Sequence, residues 1–180
     1  NITFDRFVRT SYKTHKSIVC EFYERVKKSD DGYMGVQKGW YCVGCEEFKE
    51  NPENSPSLKC PIHQRKLEWK NEENLFFKLS KYQLEIENLI SNPSFIEPKE
   101  RQNEIIKFVS NGLKDFSISR TNVSWGISVP DISNHTFYVW FDALLGYVSA
   151  ISQGTTQNSL IQSINTEWPA DIHFIGKDIL

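Results

Sequence analysis

Ile18, Val19, Phe22, Tyr23 and Val26 recur at three- and four-residue steps, which places them on one face of a helix. Thr10 or Ser11 can cap its start, and Ser29-Asp30-Asp31-Gly32 supplies turn chemistry at its end. Between Tyr33 and Trp69 the period is lost, and Gly, Pro, Asn and Ser multiply. A segment of this kind needs something other than a wide apolar face to hold it. The run Leu75-Phe76-Phe77-Lys78-Leu79 then favours a strand. Ser80 is expected to cap a helix whose Leu84, Ile86, Leu89 and Ile90 face inward until Pro93. Pro98 is expected to open another, with Ile105, Ile106 and Val109 buried and Gly112 closing it.

The texture changes near Asp115. Ser117-Ile118-Ser119-Arg120 reads as a short extended piece, and Thr136-Phe137-Tyr138-Val139-Trp140-Phe141 as a buried strand or strand end. Asp142 to Ala150 turns helical, and Gln153 to Ser159 is a polar loop. Ile172-His173-Phe174-Ile175 reads as a second buried strand that ends at Gly176-Lys177-Asp178. Strand, helix and strand in this order predict a parallel α/β unit. No internal repeat is evident.

Composition adds bounds. The chain has 180 residues, of which 39% are hydrophobic and 13% aromatic, enough to build a packed core. The net charge of −2 removes the crude electrostatic argument for a nucleic-acid partner without excluding one. No apolar run approaches a bilayer's thickness, and no basic–apolar targeting segment opens the chain. The first residue is not Met and the last two, Ile179-Leu180, lie within an apolar stretch, so the expectation is an excised piece. Any targeting peptide would lie upstream.

Cysteine usage points to a metal. Cys42-Val43-Gly44-Cys45 and Cys60-Pro61-Ile62-His63 are two half-sites separated by fourteen residues, while Cys20 stands apart in a helical pattern. A two-residue gap lets a tight turn bring both ligands to one ion, with backbone N–H groups donating to the sulfurs. Two such pairs complete a closed Cys3His shell, which argues for a structural zinc. Paired disulfides would leave the clustering and His63 unexplained, and a redox pair at Cys42 and Cys45 would make the second half-site a coincidence. A knuckle can also bind nucleic acid by itself. Here Glu46, Glu47, Glu50 and Glu53 oppose phosphate, whereas Lys59, Arg65, Lys66 and Lys70 could meet it; a solvated mixed-charge face is the plainer expectation.

Two further motifs sit at strand ends. Trp140, Ala143, Leu144 and Tyr147 fall at i, i+3, i+4 and i+7, one stripe of a helix. Such a stripe is ordinarily core. The small Ala143 between large rings, with Asp142 at the strand-to-helix junction, would instead shape an apolar pocket with a polar mouth. A thioether suits that pocket, because sulfur packs on aromatic rings with about 0.3–1.5 kcal/mol per contact. Gly176-Lys177-Asp178 follows an apolar run at the place where open parallel sheets bind ligands, and an Asp there suits a ribose. An ordinary strand-terminating turn is the alternative.

Read together, these segments resemble the methionyl-tRNA synthetases, a family of class I aminoacyl-tRNA synthetases. The carriers are Gly39-Trp40-Tyr41-Cys42-Val43-Gly44-Cys45 with Cys60-Pro61-Ile62-His63, and Asn74-Leu75-Phe76-Phe77-Lys78-Leu79-Ser80-Lys81-Tyr82. They continue with Asp115-Phe116-Ser117-Ile118-Ser119-Arg120, Trp125-Gly126-Ile127, Tyr138 to Tyr147, and Trp168-Pro169-Ala170-Asp171 running into Ile175-Gly176-Lys177-Asp178-Ile179-Leu180. The likeness is to the bacterial and organellar branch with a single zinc knuckle. It implies an α/β fold, part of a Rossmann-like catalytic domain with an inserted zinc-binding connective-peptide domain. Residues 1–28 would end the first Rossmann half, 29–112 form the insertion with its knuckle at about 40–65, and 113–180 belong to the second half.

The resemblance also implies partners and sites. L-methionine would lie against Trp140, Ala143 and Tyr147 with Leu144 as a neighbour, and the adenosine of ATP against Gly176 and Asp178. Zn2+ would be structural, Mg2+ would accompany ATP, and tRNA(Met) would accept the methionyl group. Arg120 and Asp142 match family positions without an assigned contact. The family's HIGH and KMSKS motifs would lie before Asn1 and after Leu180, so no catalytic residue is assigned within the chain and no adenylate synthesis is expected of it alone. The location would be cytoplasmic, or mitochondrial or plastid. The rivals are a class I synthetase for another amino acid and a free-standing zinc-knuckle nucleic-acid binding module.

Overall fold

The structure is a computed structural model and describes residues 3–45, 47–49, 58–121, 123, 125–152 and 168–176. Helix α1, Lys13–Lys28, forms where the apolar period places it and buries Ile18, Val19, Tyr23 and Val26. Each such side chain contributes about 1.5–3 kcal/mol on full burial. Tyr12 takes the N-cap position with no side-chain cap, so the expected hydroxyl cap from Thr10 or Ser11 is absent. Arg25, Lys27 and Lys28 in the last turn complement the helix dipole. Asp30 adopts a left-handed φ of 55°, and the chain reverses into a strand.

That strand is the main departure from the sequence expectation. Strand β1, Gly32–Cys42, pairs antiparallel with β3, Glu68–Phe77, in unbroken register from Gly32–Phe77 to Tyr41–Glu68. The short β2, Glu47–Lys49, flanks the far end of β1, and β4, Phe116–Ser117, flanks the near end of β3. The order β2-β1-β3-β4 makes a long ribbon. Much of the ribbon is exposed, with Met34, Val36 and Trp69 all open, so no alternation of buried and polar positions marked it in the sequence. Ring pairs hold it instead. Tyr33 and Phe76 stack at 5.5 Å, and Trp40 meets Trp69 edge-on at 5.3 Å. Gly35 makes room for the first pair, because a Cβ there would lie 3.1 Å from the Phe76 ring.

After a 3-10 turn, Leu79–Tyr82, come α2, Gln83–Ser91, and α3, Lys99–Ser110. Ile90 and Val109 are buried as expected, but Leu84, Leu89 and Ile106 are exposed. The hairpin relies on two glutamines more than on an apolar face. Buried Gln102 donates from Nε2 to the carbonyls of Ile90 and Asn92 at the end of α2, at 2.9 and 2.8 Å. Gln83 in turn donates to the Val109 carbonyl at 2.9 Å and accepts from the Leu113 amide at 2.7 Å, closing α3. Each helix thus has its open C-terminal carbonyls satisfied from the other.

The body follows with β5, Ser119–Thr121, paired to β6, His135–Phe137, then α4, Val139–Leu144, and α5, Gly146–Ile151. Its core gathers Val19 and Tyr23 of α1, Leu75 of β3, and Ile118, Phe137 and Phe141. The ring of Phe137 stacks on Phe141 at 5.2 Å and meets Tyr23 edge-on at 5.3 Å. Among the described residues all strand pairs are antiparallel. The buried strand expected at Ile172–Ile175 does not form: Ile172 and Phe174 are 71% and 88% exposed. A parallel strand needs neighbours on its edges and helices on its faces, and among the described residues no strand pairs with this run. The polar loop expected at 153–159 lies outside the described residues.

Candidate functional site

The far end of the ribbon carries the metal-ligand set. Cys42 closes β1, Cys45 sits in the turn that follows, and Cys60 and His63 come from a small hairpin clasped by the antiparallel Lys59–Lys66 bridge. The four ligand atoms lie within 4.8 Å of one another. His63 Nδ1 is 3.2 Å from the Cys45 sulfur and 3.9 Å from those of Cys42 and Cys60, and the Cys45 and Cys60 sulfurs are 3.5 Å apart. A tetrahedral zinc with bonds of about 2.0–2.3 Å has ligand–ligand edges of roughly 3.5–3.8 Å, so the residues fit the ion.

Local backbone geometry explains the spacing. The His63 amide donates to Cys60 Sγ at 3.5 Å. This bond leads the influences that hold the Cys60 thiol down at about 6, towards the thiolate that a metal requires. Gly44 is needed for close approach, because a Cβ there would fall 2.9 Å from His63 Cγ. Cys42, Cys60 and Leu67 are buried together, with Trp40 packed against them. Of the tip acids, Glu47 pairs with Lys49, while Glu46, Glu50 and Glu53 lie outside the described residues.

The second candidate stripe is not core. Trp140, Leu144 and Tyr147 remain 45%, 48% and 36% exposed, with Ala143 half-buried between them. The helix breaks at Leu145 into α4 and α5, yet the face continues, and the Tyr147 ring meets His173 edge-on at 4.1 Å. This contact brings the run before Gly176 against the stripe. Gly176 is exposed with open space about its Cα; Lys177 and Asp178 lie outside the described residues.

Beside the stripe, Asp142 is half-buried, and burial pushes its carboxyl up to about 6. Arg120 lies across the Tyr138 ring at 3.9 Å and donates from Nη1 to Ser117 Oγ and the Ser119 carbonyl. Underneath, α1 is tied to α5 where His15 Nδ1 meets Ser149 Oγ at 2.9 Å, both fully buried. Ser149 also donates to the Gly146 carbonyl at 3.1 Å, so His15 is the donor in that pair.

The root of the ribbon was missed in the sequence. Ser80, expected as a helix cap, instead donates its hydroxyl and its amide to Asp115 Oδ1, at 2.6 and 3.1 Å, while Tyr33 donates to Oδ2. The adjacent Lys81 and Tyr82 both donate to buried Asp31. A short polar run of Ser, Lys and Tyr directly after an apolar strand was the available signal, since each of the three can donate to a carboxylate that the fold brings close.

An extended ribbon tipped by four candidate metal ligands, a helical hairpin at its root and a body presenting an open aromatic stripe are what the described residues bring together. The chain belongs to the class I tRNA synthetases (M), whose family model matches residues 1–62 and 49–180. Within that class its relatives are methionine–tRNA ligases. The enzyme of a Nostoc species is 53% identical over the whole chain, and the chloroplastic/mitochondrial enzyme of Arabidopsis thaliana is 47% identical. Methionyl-tRNA synthetase of Mycobacterium tuberculosis, solved with methionyl-adenylate, superposes on 99% of the chain with a TM-score of 0.82 at 38% identity. The chain spans 34%, 29% and 35% of these three proteins. The α/β class and the helix-and-strand architecture expected from the sequence are those of this family.

Proposed function

We propose that the full-length protein carrying this chain is a methionine–tRNA ligase. It activates L-methionine with ATP to methionyl-adenylate and transfers the methionyl group to the 3′-terminal adenosine of tRNA(Met). The observation that carries this reading is the open stripe of Trp140, Ala143, Leu144 and Tyr147. Large apolar rings left half-exposed around one small residue form a surface that a thioether side chain covers well. The chemistry is attack of the methionine carboxylate on the α-phosphate, with pyrophosphate leaving, then attack of a ribose hydroxyl on the mixed anhydride. Positioning and charge stabilisation suffice for both steps. In this chain the stripe orients the amino acid. Gly176 and Asp178 are assigned to the adenosine, with Asp178 at the ribose, on the strength of their motif.

Residues 1–28, 29–112 and 113–180 are read as the end of the first Rossmann half, the connective-peptide insertion and part of the second half. Cys42, Cys45, Cys60 and His63 would hold Zn2+ as a cross-link of the ribbon tip, and Mg2+ would accompany ATP. No helix among the described residues is long and apolar enough to cross a membrane. The proposed location is the cytoplasm, or a mitochondrion or plastid as for the Arabidopsis relative. Methionine-dependent ATP–pyrophosphate exchange by the full-length protein, compared across amino acids, tests the reading. Strong exchange with methionine alone is expected, and preference for another amino acid would overturn it.

A further inference from the structure

Lys49 has an unusual place for a lysine. It lies on β2 at the outer edge of the ribbon, yet only 15% of its side chain is exposed. Lysines are seldom buried unless something receives the charge. Its ion-pair partner Glu47 sits two positions away on the same strand with 53% of its side chain open. Exposed pairs of that kind contribute little and do not by themselves draw a lysine inward.

The strand register places a second partner beside it. Lys49 is opposite Trp40, and Glu47 is opposite Cys42. Directly opposed residues, and residues two apart on one strand, share a face of the sheet. Lys49 therefore lies on the face that carries Trp40 and Cys42, against which Cys45 and Cys60 also pack. Tyr41 and Phe48, one position on, meet edge-on across the other face. From its own face the Lys49 ammonium acts on the Cys45 sulfur, by a hydrogen bond and by charge.

The charge of the site supplies a reason for that contact. Three thiolates and a neutral imidazole around Zn2+ leave one net negative charge. The Cys60 sulfur already accepts from the His63 amide. Cys42 and Cys60 are fully buried, whereas Cys45 is half-buried, so its thiolate is the one that water and oxidants reach first.

We propose that Lys49 supports the metal site from outside its ligand set: its ammonium donates to the Cys45 thiolate, offsets the net charge and keeps that ligand on the ion. The inference rests on the zinc reading of Cys42, Cys45, Cys60 and His63. Groups that hold a ligand in this way commonly change metal affinity tenfold or more.

The test uses the zinc-loaded full-length protein and its Lys49→Met and Lys49→Arg variants; the zinc lost in Cys42→Ser marks what belongs to this site. Lys49→Met keeps the buried stem and drops the charge, whereas Lys49→Arg keeps the charge and the donors. Chelator competition is expected to show zinc held about tenfold more weakly in Lys49→Met and near parent strength in Lys49→Arg. In the cobalt-substituted proteins, the thiolate-to-metal absorption band is expected to move to longer wavelength in Lys49→Met alone. A thiolate without its donor gives up an electron more readily. Unchanged zinc affinity in Lys49→Met would overturn the proposal. So would weakening with an unmoved band, or equal weakening in Lys49→Arg, since loss of packing would give either. A parent protein holding no more zinc than Cys42→Ser sinks the zinc reading and the inference with it, a result distinct from the comparison of the Lys49 variants.

Discussion

Lys81 Nζ donates to Asp31 Oδ1 at 2.5 Å, joining residues fifty positions apart at the root of the ribbon. Tyr82 donates to the other oxygen at 2.6 Å, so the buried carboxylate is occupied on both sides. Burial by itself would raise the Asp31 pKa, but the hydrogen bonds from Lys81 and Tyr82 outweigh it and hold the group below its ordinary value. A depressed folded-state pKa stabilises the fold above the unfolded value of about 3.9, and that stability is lost as pH falls through the folded pKa. Urea midpoints are therefore expected to drop steeply below about pH 4. Asp31→Asn should be less stable at neutral pH and show a shallower acid slope. An unchanged slope would remove Asp31 from the account.

The metal site makes a separate prediction. Cys42→Ser should abolish zinc binding and expose the amides of residues 42–45 and 58–67 to hydrogen exchange. The ribbon near Gly32 and Phe77 should stay protected, because its ladder and the Asp31 and Asp115 contacts do not pass through the ion. This is narrower than the disorder of residues 33–70 that an irregular, metal-held segment would give. Gly44→Ala, with its Cβ driven into the His63 ring, should weaken zinc by tenfold or more in a chelator competition without removing a ligand.

The aromatic stripe separates binding from folding. Trp140→Ala removes a half-exposed ring, so a stability change within about 0.5 kcal/mol is expected in denaturant titration. In pyrophosphate exchange by the full-length protein the methionine KM should rise tenfold or more. Loss of stability comparable to a core Trp deletion, about 3–5 kcal/mol, would return the stripe to the core.

His15 predicts a second acid sensitivity, in a different range. Burial lowers its pKa, opposed by the neighbouring Asp142 carbonyl. The unfolded chain therefore binds the proton more readily, and stability should fall as pH drops below about 6.5. His15→Gln should remove this contribution, leaving between pH 5 and 7 the opposite one of Asp142, whose raised pKa lets stability rise as pH falls below about 6, and at lower pH the acid slope that belongs to Asp31.

What the sequence made legible was whatever repeats or clusters. Helix α1 followed from its period, and the quartet Cys42, Cys45, Cys60 and His63 followed from two matched gaps. The stripe at Trp140–Tyr147 was legible as a face, but only the fold showed it open. Strand β1 was hidden because most of its side chains meet solvent or one another's rings, leaving no buried–polar alternation. Ser80 misled because a hydroxyl before a helix pattern has an obvious local use, and its real partner lies 35 residues away. The run at Ile172–Ile175 has a strand's composition without a strand's neighbours.

The paired strands also have a mechanical side. Ten residues of antiparallel pairing from Gly32–Phe77 to Tyr41–Glu68 make a boom about 34 Å long, rooted at Asp31 and tipped by the ligand cluster. A tilt of about 5° at the root would swing the tip through roughly 3 Å at that length. The carboxylates that clamp the root therefore set the reach of the whole arm, and a small relaxation there would be magnified where Tyr41 and Lys70 face the body.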